Sequence, residues 1–146
     1  MPLADSNVWL ALALSGHDLH ATVGTWFRRQ KVRRSVSFCR STQQSFLRLL
    51  TTAAVLAPYG IPPLSNQAAW SVYEGFRADA RIGWAEEPPG LERRWQKLAA
   101  HPKASPKLWM DAYLAAFALT GGHQLVTTDR AFKQFDALDL VVLTKG

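Results

Sequence analysis

Five short apolar runs, separated by segments of helical periodicity, dominate this sequence. They are Pro2–Ala4, Val36–Cys39, Arg81–Ala85, Gln124–Thr127 and Leu140–Leu143. Short apolar runs of this kind suit strands covered on both faces, as in parallel sheets. Parallel neighbours need long crossovers, usually helical, and every interval here is long enough for one. The expected class is therefore α/β, a three-layer α/β/α sandwich around a five-stranded parallel sheet. The pattern leaves strand order open.

The intervals supply the helices. The first runs from Asn7 to Leu14 and a second from His20 to Lys31, with Trp26 and Phe27 on its apolar side. Thr42 to Thr51 carries Phe46, Leu47, Leu49 and Leu50. Pro58 to Pro63 reads as a loop. Ser65 and Asn66 then offer capping oxygens to a helix reaching about Ala80, with Ala69, Val72, Tyr73 and Phe76 at three- and four-residue steps. Leu91 to Ala100 is amphipathic. Pro106 suits the first position of the next helix, which Gly121 ends. A short helix covers Arg130 to Phe135. These units are expected to form one domain over residues 1–146.

Composition narrows the class. The chain is 48% apolar and 19% charged, which excludes a disordered polyampholyte. A single cysteine, Cys39, excludes an internal disulfide. Val8–Leu14 is too short for a membrane span and follows Asp5, so a cytoplasmic protein without membrane contact is the default expectation. The net charge of +6 is concentrated early. Arg28, Arg29, Lys31, Arg33 and Arg34 form a patch that suits a polyanion such as RNA. Cations offsetting a helix end are the plainer alternative.

The acids carry the chemistry. Asp5 lies just past the first strand and Asp129 just past the fourth, so both belong at the carboxyl edge, where ligands of such sheets bind. Asp111 lies near the start of a helix that must run antiparallel to the strands, which brings it to the same edge. It is the only acid in Leu108–Leu119, an otherwise apolar segment, and an ionised carboxylate in a buried helix needs a cation or several donors. Clustered carboxylates suit Mg²⁺ or Mn²⁺. Such an ion polarises a phosphate and acidifies a water. Asn7, Ser6 and Thr128 could orient the carboxylates. Other readings stay open: Asp5 and Asp129 as helix caps, and Asp111 paired with Lys107 four residues away.

Three blocks together resemble the PIN domain, in particular the toxin nucleases of VapC-type toxin–antitoxin systems. Leu3-Ala-Asp5-Ser-Asn7-Val-Trp-Leu is similar to the family's opening strand with its Asp-x-Asn. Lys107-Leu-Trp-Met-Asp111-Ala-Tyr-Leu-Ala-Ala resembles the helix that holds a further acid. Leu125-Val-Thr-Thr128-Asp129-Arg-Ala-Phe132 resembles the block with Thr-Asp and a following Phe. The resemblance implies Mg²⁺- or Mn²⁺-dependent endonucleolytic cleavage of RNA, often tRNA or ribosomal RNA. It also implies a homodimer inhibited by a small antitoxin. There is one departure. The family places a glutamate three residues past a threonine on the helix after the second strand. Here Thr42 is followed by Gln43, Gln44 and Ser45, so Ser45 takes the acid position, in the expected first turn of that helix. One lost charge should weaken the hold on a second metal. Glu86 and Glu87, after the third strand, are candidate substitutes.

The rest of the sequence carries less chemistry. His17, His20, His101 and His123 lack zinc-site spacing. The six tryptophans fall mainly on apolar faces and read as core. Arg40 and Arg48 flank the incomplete acid block and could meet phosphate. Two rival functions remain: a PIN-fold binding module that has lost catalysis, and a phosphatase using Asp5 as nucleophile. Asn7, standing where the usual Asp-x-Asp of such phosphatases needs an acid, argues against the second.

Overall fold

The computed structural model describes residues 1–145. All five strands form: β1 (Pro2–Ala4), β2 (Val36–Phe38), β3 (Ile82–Trp84), β4 (Gln124–Thr127) and β5 (Leu140–Val142). Every pairing is parallel, in the order β3-β2-β1-β4-β5. The chain lays β2 and β3 on one side of β1 and β4 and β5 on the other. Strand order thus reverses between β1 and β4, and the loops leaving those two strands diverge to opposite faces. Ligands of open α/β sheets bind in the crevice this creates.

The helices are α1 (Ser6–Ala13), α2 (His20–Arg28), α3 (Arg40–Leu50), α4 (Ala53–Leu56), α5 (Asn66–Arg77), α6 (Leu91–Ala99) and α7 (Leu108–Gly121). Two 3-10 segments cover Ala57–Tyr59 and Arg130–Gln134. One apolar layer joins α1 to α5 to the sheet through Ala4, Val36, Phe38, Ile82 and Val126. The other joins α6 and α7 through Leu3 and Leu125. Alternating strand residues thus face opposite layers, as a two-sided sheet requires.

Trp9 anchors the first layer. It stacks on Phe38 at 3.9 Å between ring centroids, and its indole N–H donates to the Ala4 carbonyl at 3.1 Å. That bond satisfies a buried donor and ties α1 to the end of β1.

Several expected boundaries move. α2 stops at Arg28, short of Lys31, where the run of basic residues offers no further apolar face. α3 begins at Arg40 rather than Thr42, because Thr42 caps it from inside: its hydroxyl accepts from the Cys39 amide at 2.9 Å. Ser45 therefore lies in the second turn rather than the first. α4 precedes the expected proline loop, and the 3-10 turn runs into it, closed by Gly60 in the left-handed region (φ 68°). α7 starts at Leu108, after Pro106, and ends at Gly122 with φ 68°. The tryptophans are less buried than expected: Trp9 is core, whereas Trp70 and Trp109 are 47% and 58% exposed.

Candidate active site

β1 and β4 run in register, Leu3 beside Leu125 and Ala4 beside Val126. The ladder continues one step, because the Asp5 amide donates to the Val126 carbonyl at 2.9 Å. Asp5 is thereby brought beside Thr127 at the switch point. The Thr127 hydroxyl, fully buried, donates to Asp5 Oδ2 at 2.9 Å and accepts from the Asp129 amide at 3.0 Å. One side chain fixes both strand-end acids. Asn7 adds a second tie: its Oδ1 accepts from the Thr128 amide at 3.2 Å, and its Nδ2 donates to Thr127 Oγ1 at 3.4 Å.

Asp5 also caps α1, its Oδ1 accepting from the Ser6 amide at 2.7 Å. Asp129 caps the following 3-10 turn through the Ala131 amide at 2.9 Å. The capping role and a role in the acid site are therefore held by the same residues. Lys107, just before α7, completes the cluster. Its Nζ lies 3.0 Å from Asp129 Oδ2 and 3.8 Å from Asp111 Oδ2. The helical pair with Asp111 is thus the longer of its two contacts. Ser45 Oγ donates to Ser6 Oγ at 3.0 Å. A cavity of about 110 Å³ opens between Asp5, Ser6, Ser45, Met110, Asp111 and Phe132.

The acids differ in environment. Asp5 is only 9% exposed, against 16% and 32% for the side chains of Asp111 and Asp129. Burial pushes the Asp5 carboxyl above its ordinary range. Bonds from Thr127 and Ser6 oppose the rise, while Asp111 and Asp129 add to it. Burial also raises Asp111, against the pull of Lys107. Asp129 is lowered, first by the Ala131 amide. Lys107 is raised, first by its bond to Asp129, so it stays protonated.

The sequence singled out Asp111 as the acid most in need of a cation. The structure gives that place to Asp5. The first turn of α7 is not buried: Trp109 and Met110 are each 58% exposed, and Asp111 has Lys107 beside it. Thr128 contributes its backbone amide to the site, and the hydroxyl that grips Asp5 belongs to Thr127. Its signal was positional: Thr127 is the last residue of an apolar strand that otherwise has no reason to bury a hydroxyl. Glu86 and Glu87 do not join the acids. Glu86 accepts from Trp84 Nε1 at 2.9 Å and Glu87 from the Tyr113 hydroxyl at 2.7 Å.

The basic patch lies elsewhere. Arg34 precedes β2, its amide donating to Ala80 at 2.8 Å. Arg28 ends α2, and Arg29, Lys31 and Arg33 sit between it and that point. This is the amino edge of the sheet, opposite the acids. Arg33 and Arg34 line a cleft there of about 520 Å³, with Arg77, Ser37, Gly83 and Trp84. The cleft is larger than the acid cavity but contains no carboxylate able to do chemistry, since Asp79 is held by Arg81 at 2.7 Å.

The acid cluster fits a hard divalent cation in donor type and in charge. Its oxygens repel one another, and Asp111 has no donor closer than the ammonium of Lys107. Among the described residues, no three His, Cys, Asp or Glu side chains stand close enough together to hold an ion as they are placed. Lys107 bridges two of the acids instead.

A five-stranded parallel sheet with acids at its switch point defines the class. The chain belongs to the PIN domain family, whose sequence pattern matches residues 3–138. It is 53% identical over 146 residues to Ribonuclease VapC41 of Mycobacterium tuberculosis, covering 99% of this chain and 100% of that protein. Two solved structures share the fold at lower identity. One is the Mycobacterium tuberculosis toxin VapC20, described as cleaving the sarcin–ricin loop (TM-score 0.65, 17% identity, 95% of this chain and 98% of that one). The other is DNA-bound VapBC from Salmonella typhimurium (TM-score 0.68, 13% identity, 98% of each chain).

Proposed function

We propose that this chain is a toxin endoribonuclease. It hydrolyses RNA phosphodiester bonds at Asp5, Asp111 and Asp129 with Mg²⁺ or Mn²⁺, works in the cytoplasm, and is neutralised by a cognate antitoxin. One observation carries the reading: at the switch point Asp5 and Asp111 line one cavity, Asp129 is tied to them through Thr127 and Lys107, and Asp5 is buried against its own preference. The full-length match to a ribonuclease supports the chemistry. The toxin–antitoxin complexes among its structural neighbours support the partner.

The three aspartates would hold the ion. When bound, the ion supplies Lewis-acid polarisation of the phosphodiester and a more acidic attacking water. The chain's own residues do the rest. Thr127 and Ser6 fix the Asp5 carboxylate, Asn7 locks the loop after β4 to α1, and Ser45 ties α3 to Ser6. The cavity is too small for a nucleotide, since ligand pockets usually exceed about 300 Å³. RNA therefore presents its backbone at the mouth, and base identity is read elsewhere.

Arg28, Arg29, Lys31, Arg33 and Arg34 would hold RNA backbone at the far edge of the sheet. A substrate spanning both edges must be folded or long, which favours tRNA or ribosomal RNA over a short strand. We further propose a homodimer and a single functional domain. A binding module without catalysis is the alternative that Ser45 in the acid position favours.

Purified protein incubated with a panel of folded RNAs tests the reading. Cleavage that EDTA abolishes and Mn²⁺ restores is expected, with none from Asp111→Asn. Full activity in Asp5→Ala or Asp111→Asn would falsify the site. No cleavage of any RNA, with binding retained, would leave the binding module.

A further inference from the structure

We infer that Lys107 is the second cation of the active centre: its ammonium, held by Asp129 and Asp111, takes the place of a second divalent ion, so the acid cluster is built for one metal. The inference rests on the nuclease reading above.

Charge is the first argument. Asp5, Asp111 and Asp129 carry three negative charges and Lys107 one positive, a net of two negative. One divalent ion balances that. A fourth carboxylate at Ser45 without the lysine would give four negative charges, which two divalent ions balance. Ser45 in the acid position and Lys107 beside Asp129 and Asp111 each move the charge toward a single ion. Nothing else replaces the lost acid, because Glu86 and Glu87 are bonded to Trp84 and Tyr113. Ser45 spends its hydroxyl on Ser6.

Geometry is the second. Among the described residues, Lys107 is the only base within ion-pair distance of these acids. Its side chain is 70% exposed, so the ammonium sits at the mouth of the cluster, where a phosphate oxygen of RNA can reach it. An exposed ion pair adds little to stability, so stability does not explain one lysine meeting two acids from different elements. A cation facing a phosphate that gains charge in the transition state does.

Mn²⁺ titration of the full chain by calorimetry, with electron paramagnetic resonance of free Mn²⁺, tests this. The wild type is expected to bind one ion. Lys107→Gln should still bind one, about tenfold more tightly, because a repelling charge is gone. The double variant Lys107→Gln with Ser45→Glu should bind two. Single-turnover cleavage should fall about 100-fold in Lys107→Gln, with Lys107→Arg recovering much of the loss and circular dichroism unchanged in both. Two ions in the wild type, or a Lys107→Gln variant with unchanged Mn²⁺ affinity and cleavage, overturns the inference while leaving the nuclease reading intact. A wild type that binds no Mn²⁺ and cleaves no RNA sinks the nuclease reading, and this inference with it.

Discussion

Thr127 and Asp5 meet across 122 residues of sequence, hydroxyl to carboxylate at 2.9 Å. The bond joins the ends of β1 and β4 where strand order reverses. The same hydroxyl accepts from the Asp129 amide, so a single atom sets the relative position of two acids. Most of the site's testable behaviour follows from that bond and from the burial of Asp5.

Thr127→Val keeps the shape and removes the hydroxyl. Asp5 loses a donor and the Asp129 amide loses its acceptor. Residues that orient metal-binding carboxylates typically matter about 10- to 100-fold, so cleavage should fall by that factor. Stability should drop by about 1–3 kcal/mol, from the polar groups left unpaired. Rate assays and urea melts check both. A variant as active as the wild type would mean the bond has no part in the chemistry.

Asp5→Asn should abolish cleavage and stabilise the metal-free protein. The amide keeps its oxygen for the Ser6 N–H and turns its NH2 to the Thr127 hydroxyl, which then donates to Asn7 Oδ1 at 3.5 Å, and it removes a buried charge that Asp111 and Asp129 repel. A gain of about 1 kcal/mol would raise Tm by roughly 2–4 °C in a chain of this size. A fall in Tm would contradict the strain assigned to Asp5.

The same residue gives a pH dependence. Asp5 is held above its ordinary range when folded, so the native state takes up its proton more readily than the unfolded chain. Its ionisation costs stability above the raised folded value, and the cost is relieved as pH falls through that value toward the unfolded 3.8. Wild-type minus Asp5→Asn stability, measured in EDTA, should therefore rise as pH falls through that window. A flat difference would show that Asp5 is not strained.

Lys31→Gln with Arg33→Gln tests the far-edge patch. Phosphate contacts act on affinity without reading sequence. RNA binding should weaken similarly for all RNAs, with the slope of log affinity against log salt reduced by about 2. The maximal rate should stay unchanged, because these residues lie across the sheet from the acids. A lost maximal rate with unchanged affinity would place them in the chemistry instead.

Trp9→Ala should cost about 3–5 kcal/mol, as large-to-small changes of buried aromatics do. The indole packs on Phe38 and donates to Ala4, beside Asp5. Thermal melts in the absence of metal check this.

Much of the architecture was legible because it is written in local periodicity. The five apolar runs and their helical intervals specify a parallel sheet covered on both faces, and the strands formed within a residue or so of where those runs lie. Asp5, Asp111 and Asp129 could be assigned to one edge, because a residue just past a parallel strand, or at the start of the helix leading back, has nowhere else to be. The helix ends were less legible. Thr42 capping α3 from within, and the turn of helix inside the proline segment, depend on single hydrogen bonds that periodicity does not register.

The sequence by itself determined the class of fold, the edge of the sheet that carries the acids, and the absence of a fourth acid at Ser45. Only the tertiary structure decided which acid is strained and what holds each one. Burial depth at the switch point depends on which strands are neighbours. With β1 beside β4, Asp5 sinks behind Thr127, while the first turn of α7 stays open to solvent and leaves Asp111 to Lys107. The basic patch lies at the far edge because it leads into β2, which runs parallel to β1, although in sequence it lies closer to Asp5 than either of the other acids.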